Sequence, residues 1–423
     1  MSEDILQSRE QRYHHILNKT KTYETLICVK ANTPGLNKNR YSSYFLLRQF
    51  DQVIQSSFQV IYHEFYTSQD GPYHLYALSD QSIQKLKMVL IGIEDNHPLG
   101  RLVDIDLYHK GTNISRNDIN INPRTCLLCN NPAIACMRNH THTLDELLFK
   151  IDQMIFDYIE KNIYKLINNA MLKELNLEDK FGLVTPSSTG SHQDMNYEMM
   201  LQSKDIIIKY LLEILKTGFI YPHDDQLYHR ARAIGIKAEL EMYEKTNQVN
   251  TYKGLIYLLG FVCLSISHVI RNHLNFEDIF THIKTLSQDV FDDFNKDVQS
   301  SGIHAYLNYQ ITGIRGEVFN GLPTILKAMR AFSHIDVDND MHQHQILLYF
   351  MIHSEDTVLL KRAGSLKNYQ HFKQMAAQVN PYVKSDVKSF TKYCINHHIS
   401  IGGSADLFIV FHFLNQVKKT FNL

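Results

Sequence analysis

The chain has 423 residues and a nearly balanced charge, with 43 Lys and Arg against 44 Asp and Glu, a net charge of −1. At roughly 150 residues per domain, this length predicts two large or three small domains and excludes a single small binding module. The neutral charge excludes the basic field that non-specific binding to nucleic acid or to an anionic membrane requires, so we expect neither as a partner.

The first residues and the cysteine content are typical of a cytoplasmic protein. MSEDILQSREQR is charged from its third residue and lacks the apolar stretch of a secretory signal peptide. The longest apolar run, from Leu255 to Ile270, is shorter than the roughly 18 to 20 residues of a membrane span, so it predicts a buried helix. Six cysteines are too few for a disulfide scaffold, and we expect them to be thiols or metal ligands.

The first part of the chain predicts an α+β domain with a mixed or antiparallel sheet. After an opening helical stretch, short segments rich in β-branched and aromatic residues alternate with turn-forming residues. The predicted strands are TLICVKA (25–31), QVIYHEFYT (59–67), YHLYALS (73–79), KMVLIGIE (87–94) and LVDIDLY (102–108).

From Thr143 onward the pattern becomes helical. Thr143 and Glu146 have the spacing of a capping box ahead of apolar residues that recur on one helix face. Long apolar segments of helical period then continue to the end of the chain, which predicts an all-α second domain. The pattern places the domain boundary within residues 155–180, and we take the domains as residues 1–160 and 165–423.

A pair of carboxylates, Asp104 and Asp106, lies on the last predicted strand. Residues two apart on a strand point to the same face, so both side chains can bind one ion. Hard oxygen ligands of this kind suit Mg²⁺ bound to substrate phosphates, although a pair of acidic residues on a solvated strand face is also common. Gly100 and Arg101 come just before the pair, and Arg101 is a candidate phosphate ligand.

Three of the cysteines cluster in the next segment, PRTCLLCNNPAIACMRNHTH. Cys126 and Cys129 form a C-x2-C pair, Cys136 follows, and His142 lies just beyond. Three thiolates and an imidazole can complete a tetrahedral zinc site, and reduced, partly buried thiols are the alternative. Arg124 and Arg138 flank the cluster and are candidates for binding pyrophosphate.

The ordered motifs of this half resemble a known family. HPLGRLVDIDLY, ISRND with its Arg116, PRTCLLC, AIACMR and the following His142 resemble the apo-citrate lyase phosphoribosyl-dephospho-CoA transferase family, over most of residues 5–155. The resemblance implies transfer of a phosphoribosyl-dephospho-CoA group to a serine of the citrate lyase acyl carrier (gamma) subunit, with release of pyrophosphate. Asp104 and Asp106 fit this chemistry as Mg²⁺ ligands.

Five small clusters interrupt the helical half, each pairing glycine with charged or hydroxyl residues. Glycine allows backbone amides to approach a ligand and helix N-termini favour phosphate, so the clusters suit a nucleoside triphosphate. A plain helix start is the alternative for GGSAD (402–406) and for Asp356 with Thr357, and a local polar pair is the alternative for His192 and Asp194. The clusters are GLVTPSSTGSHQDMN (182–196), VNTYKG (249–254), TGIRGE (312–317), SEDTVLLKRAG (354–364) and ISIGGSADL (399–407).

In their order, these clusters resemble the triphosphoribosyl-dephospho-CoA synthase family over about residues 165–423. The resemblance implies an all-α fold that joins the triphosphoribosyl group of ATP to 3′-dephospho-CoA and releases adenine, with Mg²⁺ as counterion. The candidate catalytic residues here are His192, Asp194, Lys253, Glu317 and Asp406. The candidate substrate-binding residues are Asn250, Thr251, Gly254, Arg315, Gly316, Asp356, Thr357, Gly402, Gly403 and Ser404.

The sequence departs from this family's pattern at a few positions. The usual Asn-Thr-His-Lys-Gly reads Asn-Thr-Tyr-Lys-Gly at 250–254, and Lys-Pro-Gly reads Lys-Phe-Gly at 180–182. If the family's histidine acts as an acid or base, Tyr252 cannot replace it at neutral pH, because the pKa of tyrosine is much higher. If that ring only packs or donates a hydrogen bond, little changes.

We therefore expect a bifunctional transferase that makes and attaches the citrate lyase prosthetic group. One alternative is the same chemistry for the carrier protein of another lyase or decarboxylase. A second, of a different class, is a zinc-stabilised binding protein, against which the neutral charge argues.

Overall fold

The computed structural model describes residues 3–79, 82–222, 226–291 and 301–423. The chain divides into two compact units, and the division falls within one long helix, between Lys161 and Asn162. Unit 1 comprises Met1–Lys161, Ile270–His273 and Phe421–Leu423, and unit 2 comprises Asn162–Val269 and Leu274–Thr420.

Unit 1 is built on a five-stranded sheet, and every neighbouring pair in it is antiparallel. The strands are β1 (Thr25–Ala31), β2 (Val60–Tyr66), β3 (Tyr73–Leu78), β4 (Val103–His109) and β5 (Thr112–Ile114). Their order in the sheet is β2-β3-β1-β4-β5. The central strand β1 has five consecutive buried residues, because helices cover both of its faces, whereas the edge strand β2 is half exposed.

Helices α1 (Glu3–Lys19), α2 (Tyr41–Ser57) and α3 (Ile83–Asn96) enclose the sheet. Ile16 of α1 packs with Leu26, Cys28 and Leu75, which lie on one face. The strand residues that alternate with these lie on the other face of the sheet, against α2 and α3. On that face the Tyr76 hydroxyl donates to Asp51 Oδ1 at 2.8 Å. The expected α+β fold is confirmed, and its sheet is antiparallel.

One predicted strand is wrong. KMVLIGIE lies inside α3, whose buried residues Leu86, Leu90, Ile91 and Glu94 recur at helical spacing. Its β-branched residues suggested a strand, but packing of one helical face on the sheet outweighs that weak local preference.

The capping box before the long helix is present as expected. The backbone N–H of Thr143 donates to Glu146 Oε2 at 2.8 Å, and the N–H of Glu146 donates to Thr143 Oγ1 at 3.3 Å. Thr143 and Glu146 lie at the start of α5 (Leu144–Asn176). The elements between the sheet and α5 include α4 (Ala133–Arg138) and the short 3-10 turn Asn117–Ile119, and another 3-10 turn, Gly100–Leu102, precedes β4. The two capping-box contacts satisfy N–H groups that the first helical turn leaves unpaired.

Unit 2 is helical in the part of it that the structure describes, apart from one isolated bridge, so the expected all-α fold is confirmed. The described helices are α6 (Tyr197–Ile220), α7 (Leu227–Lys245), α8 (Lys253–Arg271), α9 (Asp278–Leu286), α10 (Ser301–Tyr309), α11 (Gly313–Phe319), α12 (Pro323–Ala331), α13 (Asp340–His353), α14 (Thr357–Ala363), α15 (Leu366–Ala376), α16 (Lys384–Asn396) and α17 (Gly402–Phe421). The buried centre of unit 2 includes α8 and α17, and α8 is the predicted apolar helix. Helix α8 is long and apolar enough to span a membrane, but 78% of its apolar window is buried, as in the core helix of a soluble protein.

Candidate active sites

The carboxylate pair of unit 1 lies on β4, where half-buried Asp104 and Asp106 alternate with fully buried Val103 and Ile105. The pair therefore shares one face of the sheet, as the spacing predicts. Burial and the neighbouring Asp104 carboxylate raise the pKa of Asp106 above its usual range. A cation bound between the two carboxylates would relieve this repulsion.

Two of the predicted arginines are held beside this pair by Glu94, a buried residue of α3. Arg124 donates to Asp104 Oδ1 at 3.0 Å and also pairs with Glu94. Arg116 pairs with the other Glu94 oxygen at 2.8 Å and with Asp95 at 2.8 Å. Glu94 is not among the residues predicted from the sequence, because residues 87–94 have the composition of a strand.

The remaining predicted residues of unit 1 have different roles. A Cβ at Gly100 would overlap the backbone of Glu94, so this glycine allows the 3-10 turn to pass against the end of α3. Arg101 donates to the carbonyl oxygen of Thr125, close to Arg124 in sequence. Arg138 is exposed at the end of α4 and pairs with no residue that the structure describes.

A group of cations near the carboxylates was not predicted from the sequence. Arg9 and Arg12 of α1 both bind Asp70, whose side chain is 1% exposed. Burial and the neighbouring Lys30 lower the pKa of Lys38, while Asp70 favours its charged form. Lys30 also lies directly opposite Asp104 in the sheet register. The available signal was the SREQR stretch at 8–12, whose arginines recur at helical spacing.

We refer to Cys126, Cys129, Cys136 and His142 as the cysteine cluster. Their four ligand atoms all lie within 4.8 Å of one another. The Cys129 and Cys136 sulfurs are 3.5 Å apart, and His142 Nε2 is 3.4 Å from Cys129 Sγ. The structure thus brings together the four residues that the spacing suggested.

A second group of possible ligands, Asp51, His63 and His74, lies on the opposite side of unit 1's sheet from α1. Its two imidazole nitrogens are 2.7 Å apart, which is a hydrogen-bond distance. Two nitrogens bound to one tetrahedral ion at 2.0 to 2.1 Å would be about 3.3 Å apart. We therefore describe this group as a hydrogen-bonded pair of histidines, with His63 Nε2 3.5 Å from Asp51 Oδ1, the oxygen that also accepts from Tyr76.

A cavity of about 640 Å³ in unit 2 collects residues from all five sequence clusters. It lies where the loop before α6 meets the starts of α8, α11, α14 and α17. The predicted residues that line it are His192, Asn250, Thr251, Lys253, Gly254, Arg315, Thr357, Gly402, Gly403 and Asp406. The predicted residues that do not line it are Asp194, Gly316, Glu317, Asp356 and Ser404.

Asp406, Tyr252 and Glu174 form an acidic group at this cavity. Burial, followed by the charges of Asp356 and Glu174, raises the pKa of Asp406 well above its usual range. Burial and the same carboxylate of Glu174 also raise the pKa of Tyr252, so its phenol stays neutral. Within the described residues, Tyr252 Oη and Thr251 Oγ1 are buried without a hydrogen-bond partner, which makes them available to a ligand.

Glu174 is the main cavity residue that sequence analysis missed. It lies on α5, before the first of the five clusters, and it is 3% exposed. Its Oε1 pairs with the buried ammonium of Lys180 at 2.7 Å. Nothing in its local sequence distinguishes it from an ordinary helical glutamate. Other cavity residues not predicted include Arg232, Glu239, Tyr257, Thr312 and Ser400.

Close packing against Asp406 explains why the residue after Lys253, at the start of α8, is glycine. A Cβ at this position would overlap Asp406 Oδ2 and come within 3.3 Å of Ile314. The backbone of α8 can therefore approach the carboxylate only without a side chain here.

His192 is a neutral hydrogen-bonding residue. Burial and the nearby Arg362 lower its pKa to about 4. Because the guanidinium of Arg362 is a donor, His192 Nδ1 accepts from it at 3.3 Å, and Nε2–H donates to Ser400 Oγ at 2.9 Å. Asp194 is 59% exposed, and its carboxylate is 3.8 Å from His192 Nδ1, which is too far for a hydrogen bond.

Lys253 is the most accessible cation among the predicted cavity residues. Its side chain is 52% exposed and pairs with Glu239 of α7. Asn250 caps the start of α8 by accepting from the Lys253 N–H at 3.1 Å. Arg315 donates to the Val290 carbonyl at 2.6 Å, which holds its guanidinium at the cavity.

Two predicted carboxylates are instead helix caps. Asp356 Oδ1 accepts from the Val358 and Leu359 N–H groups at 2.9 Å, while its Oδ2 accepts from the N–H and hydroxyl of Ser404 at 2.8 Å. It therefore fastens the start of α14 to the start of α17. Glu317 accepts from Thr324 at the start of α12. The structure gives both carboxylates, and Ser404, a role in positioning helices around the cavity.

The Lys-Phe-Gly segment has a backbone that proline cannot adopt. Phe181 has φ +55° and Gly182 has φ +86°, whereas proline is fixed near −65°. A Cβ at Gly182 would overlap the Ile399 carbonyl, so this glycine brings the 182–196 loop against the 399–407 segment.

Comparisons with known families account for nearly the whole chain. Residues 1–158 match the family model of apo-citrate lyase phosphoribosyl-dephospho-CoA transferase, and residues 160–423 match that of ATP:dephospho-CoA triphosphoribosyl transferase. The chain is 28% identical to Protein CitXG of Haemophilus influenzae over 96% of this chain and 94% of that protein. Protein CitXG of Leuconostoc mesenteroides is also 28% identical, over 98% of this chain and 96% of that protein. A probable 2-(5''-triphosphoribosyl)-3'-dephosphocoenzyme-A synthase of Acinetobacter calcoaceticus is 30% identical over 60% of this chain and 91% of that protein.

Proposed function

The chain belongs to the ATP:dephospho-CoA triphosphoribosyl transferase family, and because its first 158 residues match the apo-citrate lyase transferase family, we infer that it is a bifunctional transferase. It makes 2′-(5″-triphosphoribosyl)-3′-dephospho-CoA from ATP and 3′-dephospho-CoA with release of adenine. It then attaches the phosphoribosyl-dephospho-CoA group to a serine of an acyl carrier protein with release of pyrophosphate. We assign the first reaction to residues 165–423 and the second to residues 1–160.

The observation that carries this assignment is the cavity of unit 2. The five clusters are far apart in sequence, yet each contributes to one cavity lined by carboxylates, cations and unpartnered hydroxyls. A glycosyl transfer needs these groups, because positive charge develops on the ribose while the triphosphate is negative. Lys253, Arg232 and Arg315 are the cavity cations that would bind the triphosphate.

Asp406 is our candidate for the base that accepts the proton of the attacking 2′-hydroxyl. The ribose C1′–oxygen bond forms, the bond from C1′ to adenine breaks, and the hydroxyl proton passes to the carboxylate. A base works best when its pKa lies near the operating pH, and burial moves the pKa of Asp406 in that direction. Neutral Tyr252 can hydrogen-bond to substrate but cannot act as a base at pH 7.

In unit 1 the serine hydroxyl of the carrier attacks the phosphorus nearest the ribose, the bond from that phosphorus to pyrophosphate breaks, and the hydroxyl proton is lost to solvent. Arg9, Arg12, Lys30 and Lys38 are the cations that would bind the leaving pyrophosphate, beside Asp104. Asp104 and Asp106 would hold Mg²⁺, which neutralises phosphate charge when bound. Their shared face and the raised pKa of Asp106 support this assignment.

We further propose that the acceptor is the acyl carrier (gamma) subunit of citrate lyase, since the matched family is described by that enzyme. The carrier of another lyase or decarboxylase is the competing acceptor. A cytoplasmic location goes with this proposal, and none of the six cysteines, all of which lie in the described residues, forms a disulfide bond.

The test measures adenine released from ATP and Mg²⁺ by the purified chain, with and without dephospho-CoA, and then the mass of added apo-carrier proteins. We expect adenine release that depends on dephospho-CoA, and a mass gain on the citrate lyase carrier in preference to a decarboxylase carrier. Without adenine release, the assignment of unit 2 fails; equal loading of both carriers would refute the proposed acceptor.

A further inference from the structure

The cysteine cluster has the geometry of a metal site. Tetrahedral zinc binds sulfur at about 2.3 Å and nitrogen at about 2.0 to 2.1 Å, which places two bound sulfurs about 3.8 Å apart and a sulfur and nitrogen about 3.6 Å apart. The observed separations of 3.5 Å between Cys129 and Cys136, and 3.4 Å between Cys129 and His142, are close to these values. With all four ligand atoms within 4.8 Å of one another, one ion can reach every ligand.

The backbone around the cluster holds the four ligands together. The Cys126 N–H donates to the Asn131 carbonyl at 2.7 Å, which closes the loop that carries Cys129. Cys136 lies on α4, and the Thr141 N–H donates to its carbonyl at 3.1 Å, which turns the chain back toward His142. His142 is thereby fixed immediately before the capping box of α5.

This segment has little apolar core of its own. Between β5 and α5 its regular structure is one 3-10 turn and one six-residue helix. Ile134 and Met137 of that helix are 51% and 69% exposed. A segment that buries so little apolar surface needs another source of order, and a metal ion with thiolate ligands supplies one.

The cluster is joined directly to the carboxylates of β4. Arg124, two residues before Cys126, binds Asp104, and Arg101 donates to the carbonyl of Thr125. An ordered cysteine cluster therefore helps to fix the chain on either side of Arg124, together with the contacts of Arg124 to Glu94 and Asp104.

We propose that Cys126, Cys129, Cys136 and His142 bind one structural Zn²⁺, which orders the segment that carries Arg124 and so supports the contact of Arg124 with Asp104. Four protein ligands close the coordination sphere, so the ion stabilises the segment and leaves no position for substrate. Zinc binding does not depend on the proposed function; the expected effect on carrier loading does.

The test begins with the zinc content of the full-length chain purified with reductant. We expect one zinc per chain, and the spectrum of the cobalt-substituted protein should show thiolate-to-metal charge transfer. His142→Asn should lose the zinc, whereas His140→Asn, a change at an exposed neighbour, should retain it. Cys263→Ala, which removes a buried thiol in unit 2, should also retain it.

Two results would overturn the proposal: zinc no higher in the wild-type chain than in His142→Asn, or a cobalt spectrum without thiolate charge transfer. Because the cobalt measurement uses the wild-type chain, it decides even if His142→Asn folds poorly. The His142→Asn chain should also lose carrier loading with supplied intermediate while it still releases adenine. If zinc and the cobalt spectrum are as expected but the wild-type chain loads no carrier, the zinc site stands and the function assigned to unit 1 fails.

Discussion

Gly254→Ala tests whether the position of Asp406 controls triphosphoribosyl transfer. The added methyl group would overlap Asp406 Oδ2, which is the tip of a side chain and can rotate away. To restore an ordinary contact the carboxylate must move by about 1 Å, a displacement that can cost about 10²-fold in rate. We therefore expect kcat for adenine release to fall by about 10²-fold.

The fold should survive this substitution. Alanine favours a helix more than glycine does, so the start of α8 gains local stability while the carboxylate moves. Gly260→Ala is the matched control, because Gly260 also lies on α8 and lines the cavity, but its added Cβ would be 3.6 Å from the nearest side chain, Ile214. That variant should keep adenine release within a few-fold of the wild type.

The assay is dephospho-CoA-dependent adenine release, followed with thermal unfolding and with carrier loading from supplied intermediate. Carrier loading is an internal control, since unit 1 is unchanged. Equal activity in the Gly254→Ala and Gly260→Ala chains would refute the role given to Asp406. So would a loss of both activities together with a lower Tm, because the effect would then be unfolding.

Three further predictions concern both units. Asp406→Asn should lower kcat for adenine release by about 10² to 10⁴-fold if Asp406 is the base. Because burial raises the pKa of Asp406, ionisation of this carboxyl opposes folding as the pH rises above about 3.9, so the variant should have a higher Tm than the wild type at pH 7 and lose this advantage toward pH 4. If the variant and the wild type had the same Tm at both pH values, this argument would be contradicted. Gly100→Ala should destabilise the chain by about 1 to 3 kcal/mol in denaturant unfolding, because the added Cβ would overlap the backbone of Glu94. Gly92→Ala should not destabilise it, because the atom nearest to that added Cβ is 3.8 Å away. Similar stabilities of the two variants would contradict the packing argument. Lys30→Met should weaken carrier loading about 10 to 100-fold at low intermediate concentration, as expected for a lost contact to a charged group, and should leave adenine release unchanged. If carrier loading were unaffected, Lys30 would not belong to the proposed phosphate site.

Local sequence rules correctly predicted where several residues lie in the fold. The spacing of Asp104 and Asp106 places both on one face of β4, because side chains alternate along any strand. The capping box of Thr143 and Glu146 marks the start of α5 for an equally local reason. The same rules were wrong for residues 87–94, where the contact of α3 with the sheet decides the structure, and this error concealed Glu94.

The sequence alone also determined the two-domain organisation of α+β followed by all-α and the family resemblance, because periodicity and ordered motifs are properties of the chain itself. Only the tertiary structure showed which carboxylates of unit 2 line the cavity and which cap helices. Asp406 opens on the cavity, Asp356 and Glu317 cap helices, and Glu174 joins the cavity from a helix with no motif. The reason is physical: a carboxylate's function depends on which donors and charges surround it, and those groups come from distant parts of the chain.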